Sequence, residues 1–497
     1  MSDTGTWTHD GFEMVVGLEV HVELATNTKL FSGAPNRFGD DPNTNIDPVS
    51  LGLPGALPVL NRQAVELAMR IGLALICTVQ SCTFARKNYF YPDMPKAYQI
   101  SQYDRPLNID GHLEIADGVV IGVERAHLEE DTGKSTHIGG SGRIHGSEGS
   151  LIDFNRAGVP LVEIVSRPDI RSPEQARQYV NELRAILVEI GASDARMEEG
   201  SMRVDANVSV RRPDEEFGTR CEIKNVNSVR SLGRAIDYEA RRQVAMISDG
   251  ETIRQETRHW DEGDGRTHTL RTKEDADDYR YFPDPDLMPV KIDQAWIDRV
   301  RKELPEKPFD KQRRYQQEMN LPYSITSALC GDHLLCAYFE EAAGLAKSAG
   351  KVANWVVNDL LRELSQANKV DEFAEEETEK ITPQSCAVSP QMLAELVNLI
   401  EDGKLTNNVA KEIFPEMFAS GKSAADLIKE KGLEQKSDDG EIEGICAEAI
   451  ANDPDAAEKF RGGKEGAINA LKGAVMKATR GQANPKVVDE TLRRLLS

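Results

Sequence analysis

Three short stretches place acids, a histidine and cations on alternate positions, and this spacing suits a metal–phosphate site. In "VVGLEVHVEL", Val16, Leu18, Val20, Val22 and Leu24 alternate with Gly17, Glu19, His21 and Glu23. Alternation marks a half-buried strand, so Glu19, His21 and Glu23 share one face, successive ones about 6.5–7 Å apart. In "RVDANVSVR", Val204, Ala206, Val208 and Val210 oppose Asp205, Asn207 and Ser209; in "TRCEIKN", Cys221 and Ile223 oppose Arg220, Glu222 and Lys224. If these strands lie in one sheet, its open face carries carboxylates, an imidazole, amides and cations, a floor suited to a divalent metal and phosphates. A solvated strand carries the same pattern by itself. Recurrence in three segments makes it a candidate site.

A fourth stretch, "AHLEEDTGKSTH", ends in Gly133-Lys134-Ser135 like a phosphate-cradling loop. Such a loop needs a glycine five residues earlier, and that position is Leu128. What remains is Glu129-Glu130-Asp131 beside Lys134, carboxylates that serve a nucleotide only with a divalent ion between them and the phosphates. Strict alternation from Val123 puts Glu129, not Glu130, beside Arg125 and His127, unless a bulge or the strand's end reverses the order. Further acids stand at Glu163, Glu198 and Glu199, and further cations at Lys87 and Lys96. Histidine tilts the ligand set toward Mn²⁺ or Zn²⁺, while phosphate oxygens would restore a shell suited to Mg²⁺. The aromatic residues around Lys87 (Tyr89, Phe90, Tyr91, Tyr98 and Tyr103) are expected to be core and loop packing rather than base-stacking platforms.

The elements that must position these residues are mixed up to about residue 290. "SPEQARQYVNELRAILVEI" reads as a helix, with Ser172 as N-cap, Pro173 at the first helical position and Gln175 completing a capping box. A second helix is expected after Asn61, and "IGLALICTV" follows a helical, core-facing pattern. Prolines in "PDPDLMP" punctuate an exit, and the remainder reads as almost wholly helical. The expected fold is α+β: a catalytic domain over residues 1–292 on a mixed or antiparallel sheet, an all-α domain over 293–400 and a small all-α tail over 401–497.

A chain of 497 residues with 39% hydrophobic and 29% charged content is a globular protein of several domains. No apolar run approaches the about 18 residues that suggest a membrane span, and no secretion signal is visible. Seven scattered cysteines without a C-x-x-C pair fit a reduced cytoplasm. The net charge of −23 opposes nonspecific nucleic-acid binding, but from Asp455 onward nine basic residues face five acidic ones.

Taken together, "GLEVHVEL", "LGLPGALPVLN", "RKNYFYPDMPKAYQISQYDRPL", "HLEEDTGKSTH", "SLIDFNRAGVPLVEIVSRPDIRSPEQA", "MEEGSMRVDANVSVR" and "ETRHWDEGDGRT" resemble the GatB family, the B subunits of aspartyl/glutamyl-tRNA amidotransferases, with a YqeY-like tail. The resemblance implies ATP-dependent phosphorylation of the side-chain carboxylate of Glu-tRNA(Gln) or Asp-tRNA(Asn), followed by amidation. The family's metal positions carry over onto Glu19, His21, Glu130, Asp205 and Glu222, with Glu129 and Glu163 nearby. Glu130, Asp205, Lys87 and Lys96 are the expected catalytic residues; Lys87, Lys96 and Glu130 also match the ammonia passage and its gate. Lys87, Lys134, Arg220 and Lys224 are assigned to the nucleotide. ATP and Mg²⁺ (or Mn²⁺) are the implied cofactors. The implied partners are an A-type amidase subunit that supplies ammonia from glutamine, a small C-type subunit, and tRNA(Gln) or tRNA(Asn). No membrane is implied. Some relatives carry a zinc-type C-P-V-C where this chain reads Asp47-Pro48-Val49-Ser50, so no zinc is expected. The alternatives are a noncatalytic tRNA scaffold and a metal-dependent phosphoesterase.

Overall fold

The computed structural model describes residues 5–139, 148–272, 279–369, 380–433, 439–479, 483 and 485–496. It divides into two compact units, Met1–Pro308 and Phe309–Ser497. The architecture is α+β.

Strands are numbered in chain order. Ten form the main sheet of the first unit: β1 (Thr8–His9), β2 (Phe12–Glu23), β3 (Thr78–Val79), β6 (Asn108–Glu114), β7 (Val120–Glu130), β10 (Pro160–Ser166), β11 (Met202–Arg211), β12 (Cys221–Val226), β13 (Glu256–Asp261) and β14 (Arg266–Thr272). The order is β14-β13-β12-β11-β2-β10-β7-β6-β3, with β1 paired to the start of β2. Pairing is antiparallel except between β12 and β13. A small sheet joins β4 (Ala85–Asn88), β5 (Tyr98–Ser101) and β15 (Phe282–Pro283), and β8 (Lys134–Ile138) pairs with β9 (Gly149–Asp153).

The long strand β2 lies near the middle of the sheet because its two faces want different neighbours. Val16, Leu18, Val20 and Val22 are fully buried in one core with Leu67, Leu183 and Ile236 of the helices α1 (Arg62–Ala74), α2 (Pro173–Glu189) and α3 (Val229–Ser248). Each such side chain contributes about 1.5–3 kcal/mol relative to exposure. That fixes the register, since a slip of one residue would bury Glu19 and His21 instead.

The helices start where their caps dictate. Asn61 Oδ1 accepts from Gln63 N and Ala64 N at 2.9 and 3.3 Å, and Ser172 Oγ accepts from Gln175 N at 3.2 Å. Gln175 reaches back one residue further than a capping box predicts, its Oε1 accepting from Arg171 N at 2.8 Å. The expected helical run "IGLALICTV" is cut short. α1 ends at Ala74, and Ile76 takes a left-handed φ of +59° and is 50% exposed. Cys77 N donating to Gly72 O at 2.8 Å closes this turn, which then feeds β3.

The first unit extends past the proline-rich exit. Helix Gln294–Lys302 buries Val300 in the main core, and its Trp296 Nε1 and Arg299 Nη2 donate to Glu66 of α1 at 3.1 and 2.6 Å. The expected boundary at 292 therefore falls ahead of a helix that packs with the sheet domain. Within the second unit, Tyr315 to Ile428 form one hydrophobic core and Ile442 to Leu496 another. Helices Asn407–Ser420 and Ala424–Lys431 thus pack with the residues before 401 rather than with the final bundle, because Ile413, Phe414 and Leu427 fill the earlier core. Among the described residues no helix is long and apolar enough to cross a membrane.

Candidate active site

The sheet pairing brings the polar positions of several strands onto one face. Glu163 of β10 lies opposite His21 of β2 and opposite His127 of β7. On the other side of β2, Asp205 pairs with Glu19 and Arg203 with His21, and β12 sets Glu222 opposite Asn207. Glu19, His21, Glu163, Asp205 and Glu222 are therefore neighbours, as the alternation required.

β7 resolves which acid of the pair faces this floor. Its pairing with β10 runs unshifted from Arg125 through Glu130. Glu129 therefore stands with Arg125 and His127. Its Oε1 lies 3.5 Å from His21 Nδ1 and its Oε2 lies 3.9 Å from His127 Nε2, which is 3.7 Å from Glu163 Oε2. Ser101 Oγ on β5 donates to Glu129 Oε2 at 3.3 Å. One ligand atom each from His21, Glu129 and Glu163 falls within a 4.8 Å cluster.

The electrostatics differ between the two imidazoles. Burial pulls the His21 pKa down, but the Glu129 hydrogen bond and the charges of Glu163, Glu129 and Asp205 raise it to about 9. Burial opposes the ionisation of Glu129, yet His21, His127 and Lys87 hold it well below the ordinary carboxylate range. For His127 burial wins, and its pKa is lowered.

A second group lies across β2. Lys224 Nζ sits 2.5 Å from Asp205 Oδ2 and 3.0 Å from Glu222 Oε1; burial works against its charge, but the two acids raise its pKa. Thr257 Oγ1 donates to Glu222 Oε2 at 2.8 Å. Asn207 Nδ2 donates to Glu19 Oε1 at 2.9 Å. Burial first, then the charges of Glu163 and Glu222, raise the Glu19 pKa. His21, Glu129 and Glu163, whose ligand atoms lie within 4.8 Å of one another, fit a divalent cation and would hold it, with Glu19, Asp205 and Glu222 on the same face.

The other expected residues fall in three places. Lys87 on β4 approaches the floor from the small sheet, its Nζ 4.8 Å from the centre of the Tyr279 ring. Burial lowers its pKa, but Glu129, Tyr281, Tyr279 and Glu163 outweigh that and raise it. Glu130 takes the opposite side of β7, where Lys96 Nζ lies 2.5 and 2.6 Å from its oxygens and Ile100 N donates at 2.9 Å. Lys134 is exposed at the start of β8, away from the tight cluster, opposite Asp153. The preceding Gly133 N donates to Asp93 O at 2.8 Å, and a Cβ there would meet Asp153 O at 2.9 Å. That glycine serves close packing, and its N–H is already committed. Arg220 is exposed and, with Glu19, Ser209 and Phe217, lines a cavity of about 210 Å³ beside the floor.

Comparison with known proteins decides the family. Residues 14–298 match the GatB/GatE catalytic domain and residues 337–496 the GatB domain. The chain belongs to the GatB family. It is 48% identical to the B subunit of the aspartyl/glutamyl-tRNA(Asn/Gln) amidotransferase from Carboxydothermus hydrogenoformans, over 97% of this chain and 98% of the relative. The same-named protein of Moorella thermoacetica is 48% identical over 98% of this chain and all of that one, and that of Persephonella marina 47% over 98% and 99%.

In this GatB chain His127, Arg203 and Ser101 join the site beyond the residues that the sequence pointed to. The Arg125-His127-Glu129 alternation was the available signal for His127. Arg203 sits opposite His21, and its Nη2 donates to Asp131 Oδ2 at 2.7 Å. Ser101 had no sequence signal, because β5 belongs to another sheet. At the turn where some GatB relatives were expected to carry zinc-type cysteines, Ser50 N and Oγ both donate to Asp47 Oδ1, at 2.7 and 2.6 Å.

Proposed function

We propose that this chain is the member of a tRNA-dependent amidotransferase that activates the side-chain carboxylate of misacylated Glu-tRNA(Gln) or Asp-tRNA(Asn) with ATP. The observation that carries this reading is the floor itself: strand pairing sets five carboxylates and two imidazoles on one sheet face, three of them close enough to share an ion, beside a cavity bearing Arg220. The named relatives support the substrate class. Bound Mg²⁺ or Mn²⁺ would neutralise phosphate charge between the acids and the nucleotide.

The chain's own residues do the rest. A carboxylate is a poor acceptor for ammonia because oxide would have to leave. Transfer of the ATP γ-phosphoryl to the substrate carboxylate forms a P–O bond and releases ADP. Ammonia then attacks the acyl carbon, inorganic phosphate departs with the C–O bond pair, and a proton is lost from nitrogen. Arg220 and Lys87 are assigned to phosphate charge; Lys224 holds Asp205 and Glu222 in place. Lys96 and Glu130 are assigned to the route by which ammonia arrives from a partner amidase of the A type, with a small C-type subunit completing the assembly. The test is co-expression with candidate amidase and small subunits and assay of glutamine- and ATP-dependent amidation on each misacylated tRNA. Asp205→Ala should abolish ATP hydrolysis while tRNA still binds. Retained hydrolysis would leave the chain a scaffold.

A further inference from the structure

Beside the acid floor lies a set of aromatic rings that are more open than core or loop packing requires. Tyr103 is 59% exposed, while Tyr279 and Tyr281 are half-buried; Phe90 and Tyr91 of the neighbouring segment are 79% and 48% exposed. Tyr103 and Tyr281 stack with centroids 4.2 Å apart and planes within 9° of parallel. Tyr279 meets Tyr281 edge-on at 6.0 Å, and Tyr89 stacks on Tyr91 at 5.3 Å.

Backbone pairing builds this tier against the floor. Asn88 N and Nδ2 both donate to Tyr279 O, at 3.0 and 2.9 Å, and Phe282 pairs with Arg86 of β4. Ser101, two residues before Tyr103, is the residue that donates to Glu129. Lys87 Nζ lies over the Tyr279 ring, 4.8 Å from its centre. The Ser101–Glu129 hydrogen bond ties this tier to the carboxylate cluster.

Soluble proteins rarely leave several large rings open without a partner for them. Open, pre-stacked rings next to a cation are the device by which proteins hold unpaired bases, since every base offers a π-face. A small nucleotide, by contrast, calls for a concave pocket rather than an open ring pair. We infer that the Tyr103–Tyr281 pair, with Tyr279 and Lys87 at its inner edge, is the platform on which the unpaired terminal base of the aminoacylated RNA stacks. The amino acid esterified to that nucleotide's ribose then reaches Glu129 and Glu163. This inference rests on the proposed tRNA reaction and names the surface that takes the end of the strand.

The test uses the chain assembled with its amidase and small subunits and a tRNA whose terminal adenine is replaced by 2-aminopurine. Stacking quenches that base, so the wild-type assembly should dim it on binding, and Tyr281→Ala or Tyr103→Ala should restore the signal. The Phe variants, which keep the ring, should quench as wild type and so separate stacking from folding defects. In amidation, the Ala variants should raise KM for tRNA about tenfold, within the range of one base–aromatic stack, with KM for ATP unchanged. A tRNA with an abasic terminal residue should lose as much with wild type and nothing further with Tyr281→Ala. Amidation without quenching, or KM for ATP rising instead of that for tRNA, overturns the platform and leaves the proposed reaction standing. Quenching without amidation of any misacylated tRNA keeps the platform and overturns the reaction.

Discussion

His21 Nδ1 and Glu129 Oε1 face each other at 3.5 Å across the gap between β2 and β7, with Glu163 between the strands opposite His21. Without a metal this is an ion pair, and its proton competes with any cation. The His21 pKa is raised from 6.5 to about 9, so its stabilising share is complete below about pH 6.5 and lost as pH rises through about 9. Metal affinity runs the other way, because only neutral imidazole ligates. Mn²⁺ binding to the purified chain should tighten by up to about tenfold per unit between pH 7 and 9, releasing about one proton. Calorimetry in two buffers of different protonation enthalpy measures that release. A pH-independent affinity over this range would falsify the ligand assignment of His21.

The two neighbouring acids of β7 should part company under mutation. Glu129→Gln should weaken Mn²⁺ binding by at least the about 10–100-fold known for partners one step removed from a metal. Glu130→Gln should spare the metal. It strands Lys96, whose side chain is 8% exposed, at a cost of about 3–5 kcal/mol in urea unfolding, while Mn²⁺ affinity stays put. Equal losses of metal affinity in both variants would contradict the alternation.

Behind the floor, Glu239 of α3 is fully buried and binds the β13–β14 edge: it accepts from Arg242 at 2.7 and 2.9 Å, from Gln243 at 2.9 Å and from Thr267 at 2.8 Å. Burial opposes its charge, yet Arg242, Gln243 and Thr267 lower its pKa. Its stabilising share is therefore present above the ordinary carboxylate pKa and lost as pH falls below it. Glu239→Ala leaves Arg242 and Arg258 with only Glu256 to share between them and should cost about 3–5 kcal/mol. Denaturant midpoints for wild type and variant, at pH 7 and again at pH 4, give the answer; a difference that does not shrink in acid sinks the account.

The basic tail carries less free charge than its sequence suggests. Lys459 pairs with Asp455 at 2.5 Å, Arg493 with Asp489 at 3.0 Å, Arg494 with Glu443 at 2.8 Å, and Lys472 also pairs with Asp489. A cut at Asp455 would split a core that includes Ile442 and Cys446, so the clean deletion removes everything from Asp439. We expect that deletion to raise KM for tRNA and to flatten the slope of log K against log salt, by about 0.7–0.9 for each phosphate no longer neutralised. ATP hydrolysis at saturating tRNA should hold. An unaltered salt slope would mark the tail as solvated surface.

Much of this site was legible in the sequence because strand parity is a local property. Val16 to Glu23 could only put Glu19 and His21 together, and the same parity placed Glu129 beside His127. Whatever crosses sheets was hidden. Ser101 reaches the floor from the small sheet, and its position along the chain carries no trace of that. Boundaries failed for a related reason. Prolines mark where a helix or strand stops, not where a core stops, so Val300 joined the sheet domain from beyond "PDPDLMP". Ile76 shows the limit of apolar runs, since a hydrophobic residue in a left-handed turn still looks helical on paper.

The opposed carboxylates of Glu129 and Glu130 make the end of β7 a septum one strand thick between two charged compartments. Successive side chains of a strand point to opposite faces, so a single peptide unit is the wall between the two. Lys96 and Glu130 close one compartment, and His21, Glu129 and Glu163 line the other. Two charged chambers that share a wall this thin can lie within a few ångströms of each other and still keep separate ligands.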